Sequence, residues 1–129
     1  MSDKKVFPVK AEIEVKLTEE NIDDIMVCAL EGGINYWAGK AEVIEEKRVA
    51  DWGHEQIARG GALILHDTES SKKWELTLEK FLKGFRLWLE NDGDEYGAVS
   101  GGVVDCCNID AACADEIIQY ALFDEIIFA

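Results

Sequence analysis

Hydrophobic and polar positions change period several times along the chain, and each change marks an element. Residues 11–17 alternate strictly, with Ile13, Val15 and Leu17 on one side, which predicts a half-buried strand. From 19 to 31 the spacing shifts to three and four: Ile22, Ile25, Met26, Ala29 and Leu30 make one helical stripe. Thr18 is placed to cap that helix and Gly32-Gly33 to end it, through the left-handed conformation glycine adopts at helix C-termini. A strand is predicted at 41–45 and a short helix within 49–59, around Trp52 and Ile57, ended by Gly60-Gly61. Residues 62–67 read as a largely buried strand, with 73–77 as the returning arm of a hairpin. Thr77 then caps a helix over 78–91 whose core face is Leu78, Phe81, Leu82, Phe85 and Leu89; Lys80, Lys83 and Arg86 lie off it as a basic surface.

The stretch from 108 to 129 is the most apolar of all, yet it holds five acids and no base. Asp110 is a good N-cap for a helix over 111–123, on which Ala114, Ile117, Ala121 and Leu122 share a face. A short strand is predicted at 125–128. Apolar residues at this density must be buried, so the core is expected to close on this helix. Residues 1–8 read as a loose N-terminus and 91–107 as a mobile acidic loop. The sum is a single α+β domain over 1–129, with helices packed on a mainly antiparallel sheet.

Composition changes the picture mainly through charge. A hydrophobic content of 48% supports a folded core. No run is long enough to cross a bilayer, and residues 1–10 lack the apolar stretch of a signal peptide, so the expected location is cytoplasmic. The four cysteines fit reduced thiols there. Net charge is −14, unevenly spread: residues 1–86 carry all 13 bases with 17 acids, whereas 87–129 carry 10 acids and no base. Such a balance disfavours nucleic acid and anionic membranes and favours basic protein partners, including clefts that normally hold nucleic acid. Asp92, Asp94, Glu95, Asp105, Asp115 and Glu116 are the acids expected to face such a partner. The competing explanation is a solvating coat.

The remaining motifs are weaker. Asp92-Gly93-Asp94-Glu95-Tyr96-Gly97 opens like a calcium loop, but Tyr96 stands at its fifth position and Val103 at its twelfth, where a bidentate glutamate belongs. Cys106, Cys107 and Cys113 lack the paired spacing of a zinc site, and no metal or cofactor is expected. His66-Asp67 offers half of an acid–base site with no nucleophile motif beside it. In Gly32-Gly33-Ile34-Asn35-Tyr36-Trp37, an amide, a phenol and an indole follow two glycines, a set suited to a nucleotide-like ligand. Arg59 or Arg86 would then supply a phosphate contact. Aromatics that seal the core behind a helix end are the simpler reading of that run.

Three stretches carry a resemblance: Leu30-Glu31-Gly32-Gly33-Ile34-Asn35-Tyr36-Trp37, Trp74-Glu75-Leu76-Thr77-Leu78-Glu79-Lys80-Phe81-Leu82-Lys83-Gly84, and Ile109-Asp110-Ala111 through Phe128. Through them the chain resembles a family of small uncharacterised proteins encoded by phages, prophages and other mobile elements, mainly of Gram-positive bacteria. That family often has glycine where this chain has Asp124, and an acidic residue where it has Cys113. The resemblance implies a setting and no catalytic residue. Three functions follow as expectations. The first is a non-enzymatic inhibitor of host defence, of anti-CRISPR or anti-restriction type, that fills a basic cleft. The second is a binder that sequesters a nucleotide second messenger. The third, ranked last, is a small enzyme around His66 and Asp67. Whether the chain forms a homo-oligomer is not legible in its sequence.

Overall fold

The computed structural model describes residues 5, 7, 14–91, 99–100, 103–104 and 109–129. The expected strand over 11–17 falls partly outside them, and Lys16 makes a single isolated bridge. The fold is α+β. Helix α1 (Glu19–Cys28) starts in a reciprocal cap: Asn21 N donates to Thr18 Oγ1 at 3.0 Å, and Thr18 N donates to Asn21 Oδ1 at 3.0 Å. It widens into one π-helical turn, Ala29–Gly33, in place of a plain continuation to 31. The glycines there do not adopt a left-handed conformation. Gly33 is needed for space, because a Cβ on it would lie 2.6 Å from the Ala111 carbonyl oxygen.

Strand β1 (Ala38–Val43) begins three residues earlier than expected and ends before Glu45–Lys47, which form a 3-10 turn. It pairs antiparallel with β2 (Ala62–Asp67), and β2 pairs antiparallel with β3 (Lys73–Thr77), giving sheet order β1-β2-β3. Leu63, Leu65 and Leu76 point into the core, while Lys40, Glu42, His66 and Lys73 occupy the other face in register. The helix expected within 49–59 resolves into two 3-10 turns, Gly53–Glu55 and Ile57–Arg59, ended by Gly60 at φ 90.

Helices α2 (Leu78–Asn91) and α3 (Ala111–Phe123) match their expected bounds because their caps are local. Lys80 N donates to Thr77 Oγ1 at 3.3 Å and Cys113 N to Asp110 Oδ1 at 2.9 Å. The core face of α2 is Phe81, Gly84, Phe85 and Trp88; Leu82, expected inside, is exposed. Gly84 lets α2 and α3 touch, since a Cβ there would sit 2.6 Å from both Ala121 N and Ile117 O. α3 is buried nearly all round, as its composition demands. Two short strands, β4 (Val99–Ser100) and β5 (Val103–Val104), pair antiparallel as a separate two-stranded sheet. Residues 126–129 join no helix or sheet. Among the described residues no helix is long and apolar enough to cross a membrane.

Candidate functional site

The π-helical turn and the start of β1 place Tyr36 and Trp37 over the middle of α3, where Asp115 and Gln119 lie one turn apart. Asp115 Oδ2 accepts from the Tyr36 hydroxyl at 2.6 Å, and Oδ1 accepts from the Trp37 indole at 2.7 Å and from Gln119 Nε2 at 2.9 Å. Asp115 is 9% exposed and Trp37 2%. Among the described residues no cation pairs with Asp115; three neutral donors satisfy it instead. Burial and the bond to Asp115 push the Tyr36 phenol up to about 12.

Gln119 extends this network to the end of the chain. Its Oε1 accepts from Ile127 N at 2.9 Å and Phe128 N at 2.8 Å, and its Nε2 donates to Phe128 O at 3.2 Å. A side-chain amide thus does for residues 127–128 what a neighbouring strand would do, which is why the short strand expected there does not form. Phe128 then stacks on Trp37 with centroids 4.9 Å apart, and Trp74 and Phe123 close the cluster edge-on. Asp124, in a left-handed conformation at φ 63, turns the chain from α3 into this segment, and its carboxylate pairs with Lys83 Nζ at 2.6 Å.

Two of the sites expected from sequence therefore consume each other. Asp115, assigned to an acidic contact surface, is buried against Tyr36 and Trp37, assigned to a ligand. Glu116 is half-buried and accepts from the Trp88 indole at 3.3 Å. Asp92, Asp94, Glu95 and Asp105 lie outside the described residues, as do Cys106 and Cys107. Asn35 is exposed. Arg59 grips Asp23 through two bonds at 3.0 and 3.1 Å and reaches Glu19 at 2.8 Å, so it is not offered to a phosphate. Arg86 sits elsewhere, on the rim of an open groove of about 350 Å³ between Val15, Leu17 and the Leu82, Phe85 and Leu89 side of α2. The expected basic surface is largely answered: Lys80 Nζ donates to Glu75 O at 2.7 Å and Lys83 holds Asp124.

His66 and Asp67 do not form a pair. The His66 ring meets Glu42 at 3.0 Å on the open face of the sheet, and Asp67 folds the hairpin turn by accepting from the Ser70 hydroxyl at 2.6 Å and Glu69 N at 3.1 Å. Among the described residues no three His, Cys, Asp or Glu side chains are grouped to hold a metal ion.

One charged region was not anticipated. Between α1 and the start of α3, Asp24, Glu31 and Asp110 come close to Cys28; burial, and then these three carboxylates, push its thiol up. Residues 19–39 carry five acids and no base, a signal present in the sequence but hidden by the larger imbalance after Arg86. Comparison with models of known families, with curated proteins and with solved structures finds no match.

Proposed function

We propose that this protein works without catalysis, as a mobile-element accessory protein that binds and blocks a basic, nucleic-acid-binding protein of a bacterial host's defences. The observation that carries this reading is the net charge of −14, with ten acids and no base after Arg86. The exposed carboxylates of Asp24 and Glu31, beside Asp110, replace Asp115 and Glu116 as the described part of the acidic surface. Carboxylates at this density attract a cationic cleft and repel the nucleic acid that competes for it. The two alternatives gain no comparable support: Tyr36 and Trp37 both donate to Asp115, Arg59 is held by Asp23 and Glu19, and His66 faces Glu42.

The test is capture from a bacterial lysate on immobilised protein, with salt raised stepwise and an Asp24→Asn/Glu31→Gln variant alongside. Screening contracts from about 10 Å at 0.1 M salt to about 3 Å at 1 M, so a charge-held partner must leave within that range. The expected result is a basic nucleic-acid-binding protein that salt or added DNA releases, and that leaves the double variant earlier. Retention indifferent to salt, to nucleic acid and to both substitutions contradicts the proposal.

A further inference from the structure

Residues 48–56 join β1 to β2 in an unusual way: their buried polar groups hold two apolar side chains out in water. Gln56 is fully buried. Its Oε1 accepts from Val49 N at 3.0 Å, while its Nε2 donates to Ala50 O at 2.7 Å and Trp52 O at 2.9 Å. From the solvent side Arg48 clasps Glu45 at 2.8 and 2.9 Å and donates to Ala50 O at 3.1 Å and Asp51 O at 3.0 Å. Glu55 Oε1 accepts from Trp52 N at 3.3 Å. Four side-chain-to-carbonyl bonds and two side-chain-to-amide bonds thus fix a loop of ordinary length.

What the loop presents is Trp52, 66% exposed, and Val49, 47% exposed. Among the described residues the Trp52 indole N–H has no hydrogen-bond partner and its ring no aromatic neighbour. A loop that only had to connect two strands would be served by polar residues, which water solvates at no loss. A rigid loop bearing an unpartnered indole is instead the arrangement found at binding hot spots, where the aromatic contributes most and the ordering of the loop is already complete. Between residues 45 and 56 four acids outnumber two bases. Glu45 is answered by Arg48 and Lys47 by Glu75, Asp51 shares the Arg48 charge, and the exposed Glu46 has no ion pair among the described residues.

We propose that Trp52 and Val49 are the apolar anchor with which this protein docks into an indole-sized slot, rimmed by Lys or Arg, on its basic protein partner. The sign of the partner's charge rests on the function proposed above; the anchor itself does not.

The test places the photo-crosslinker p-benzoyl-phenylalanine at position 52 of the full chain, and at exposed position 69 on the β2–β3 turn as control, in a bacterial lysate. Capture by Trp52→Ala and Trp52→Phe is measured in parallel at low and high salt, with thermal unfolding to confirm that both variants fold. The expected outcome is one protein crosslinked from 52 and not from 69, through an apolar peptide flanked by Lys or Arg. Trp52→Ala should weaken capture roughly 30-fold and Trp52→Phe less than tenfold, as for a hot-spot aromatic. The same crosslinks from both positions, crosslinks to a second copy of the chain, to nucleic acid or to lipid, or undiminished capture by Trp52→Ala overturn the proposal. The two proposals fail separately. Capture that Trp52→Ala abolishes but salt does not touch removes the charge reading and keeps the anchor. Capture that salt abolishes but Trp52→Ala does not touch does the reverse.

Discussion

Gln56 and Gln119 are both fully buried, and both use a side-chain amide to fasten a stretch of backbone that lies outside the sheet. Their aromatics end on opposite sides. At Gln119 the fastened segment turns Phe128 inward onto Trp37 and leaves Ile127 51% exposed; at Gln56 it turns Trp52 outward into water. The first arrangement explains itself, since aromatic burial stabilises the fold and the amide removes the penalty of burying two peptide N–H groups. The second gains little for the fold from its aromatic. The Gln56 network satisfies backbone groups of a loop that ends in an exposed indole, and this contrast is the ground on which Val49 and Trp52 are proposed as an interface anchor.

The contrast is broken most severely at Asp115. Asp115→Ala leaves the buried Trp37 indole without an acceptor and is expected to lower unfolding free energy by about 2–4 kcal/mol in urea denaturation. Asp115→Asn, which keeps one oxygen in place, is expected to lose less. Gln119→Ala comes next, at about 2 kcal/mol, and should increase hydrogen exchange at Ile127 and Phe128. Gln56→Ala should lose about 1 kcal/mol, with faster exchange at Val49 and weaker partner capture, which Gln119→Ala does not share at matched folded fraction.

The inward side also titrates. The Tyr36 phenol is raised from its ordinary 10.0 to about 12, by burial and by its bond to Asp115. The buried Cys113 thiol is raised from 9.0 to about 12, by burial and by Asp110. A group whose pKa is higher in the folded state stabilises fully below its unfolded value and loses that contribution as pH rises through the folded one. Urea midpoints are therefore expected to hold near pH 8 and fall from about pH 9 towards 12. Tyr36→Phe should flatten the part of that fall above pH 10, whereas Trp52→Ala should not alter it. The smallest effect is expected at Asp124→Gly. Glycine relieves the left-handed strain at φ 63 but surrenders the exposed Lys83 pair, so the two changes offset to within about 0.5 kcal/mol, measured by thermal unfolding.

Much of the fold was legible because it is specified locally. Thr77 and Asp110 announce α2 and α3, and the polar run between 67 and 73 announces the hairpin. What was not legible depends on contacts distant in sequence. Periodicity put Leu82 rather than Trp88 on the core face of α2, because the choice depends on where α3 crosses, which Gly84 decides. Gly33 reads as a helix stop, yet its role is contact with Ala111, 78 positions away. Asp115 counted as one acid among ten, although Asp115 and Gln119 stand one turn apart on a helix whose one other charged residue is Glu116, a pattern that marks a buried polar pair. Their donors, Tyr36 and Trp37, show hydrogen-bonding chemistry in the sequence, but that both donate to Asp115 follows only from the fold. For Gln56 there was no signal at all. One glutamine among short irregular turns looks like any solvated residue until its three backbone partners are known.

The most direct measurement of the central claim needs no partner: the urea unfolding free energy of Trp52→Ala beside that of Trp37→Phe. If Trp52 is held for binding and not for folding, Trp52→Ala stays within about 0.5 kcal/mol of the parent, as an exposed substitution should, while Trp37→Phe loses at least about 1 kcal/mol. A loss at Trp52 equal to or greater than that at Trp37 would mean that the outward indole is a packing residue after all, and the contrast between the two glutamine-held segments would disappear.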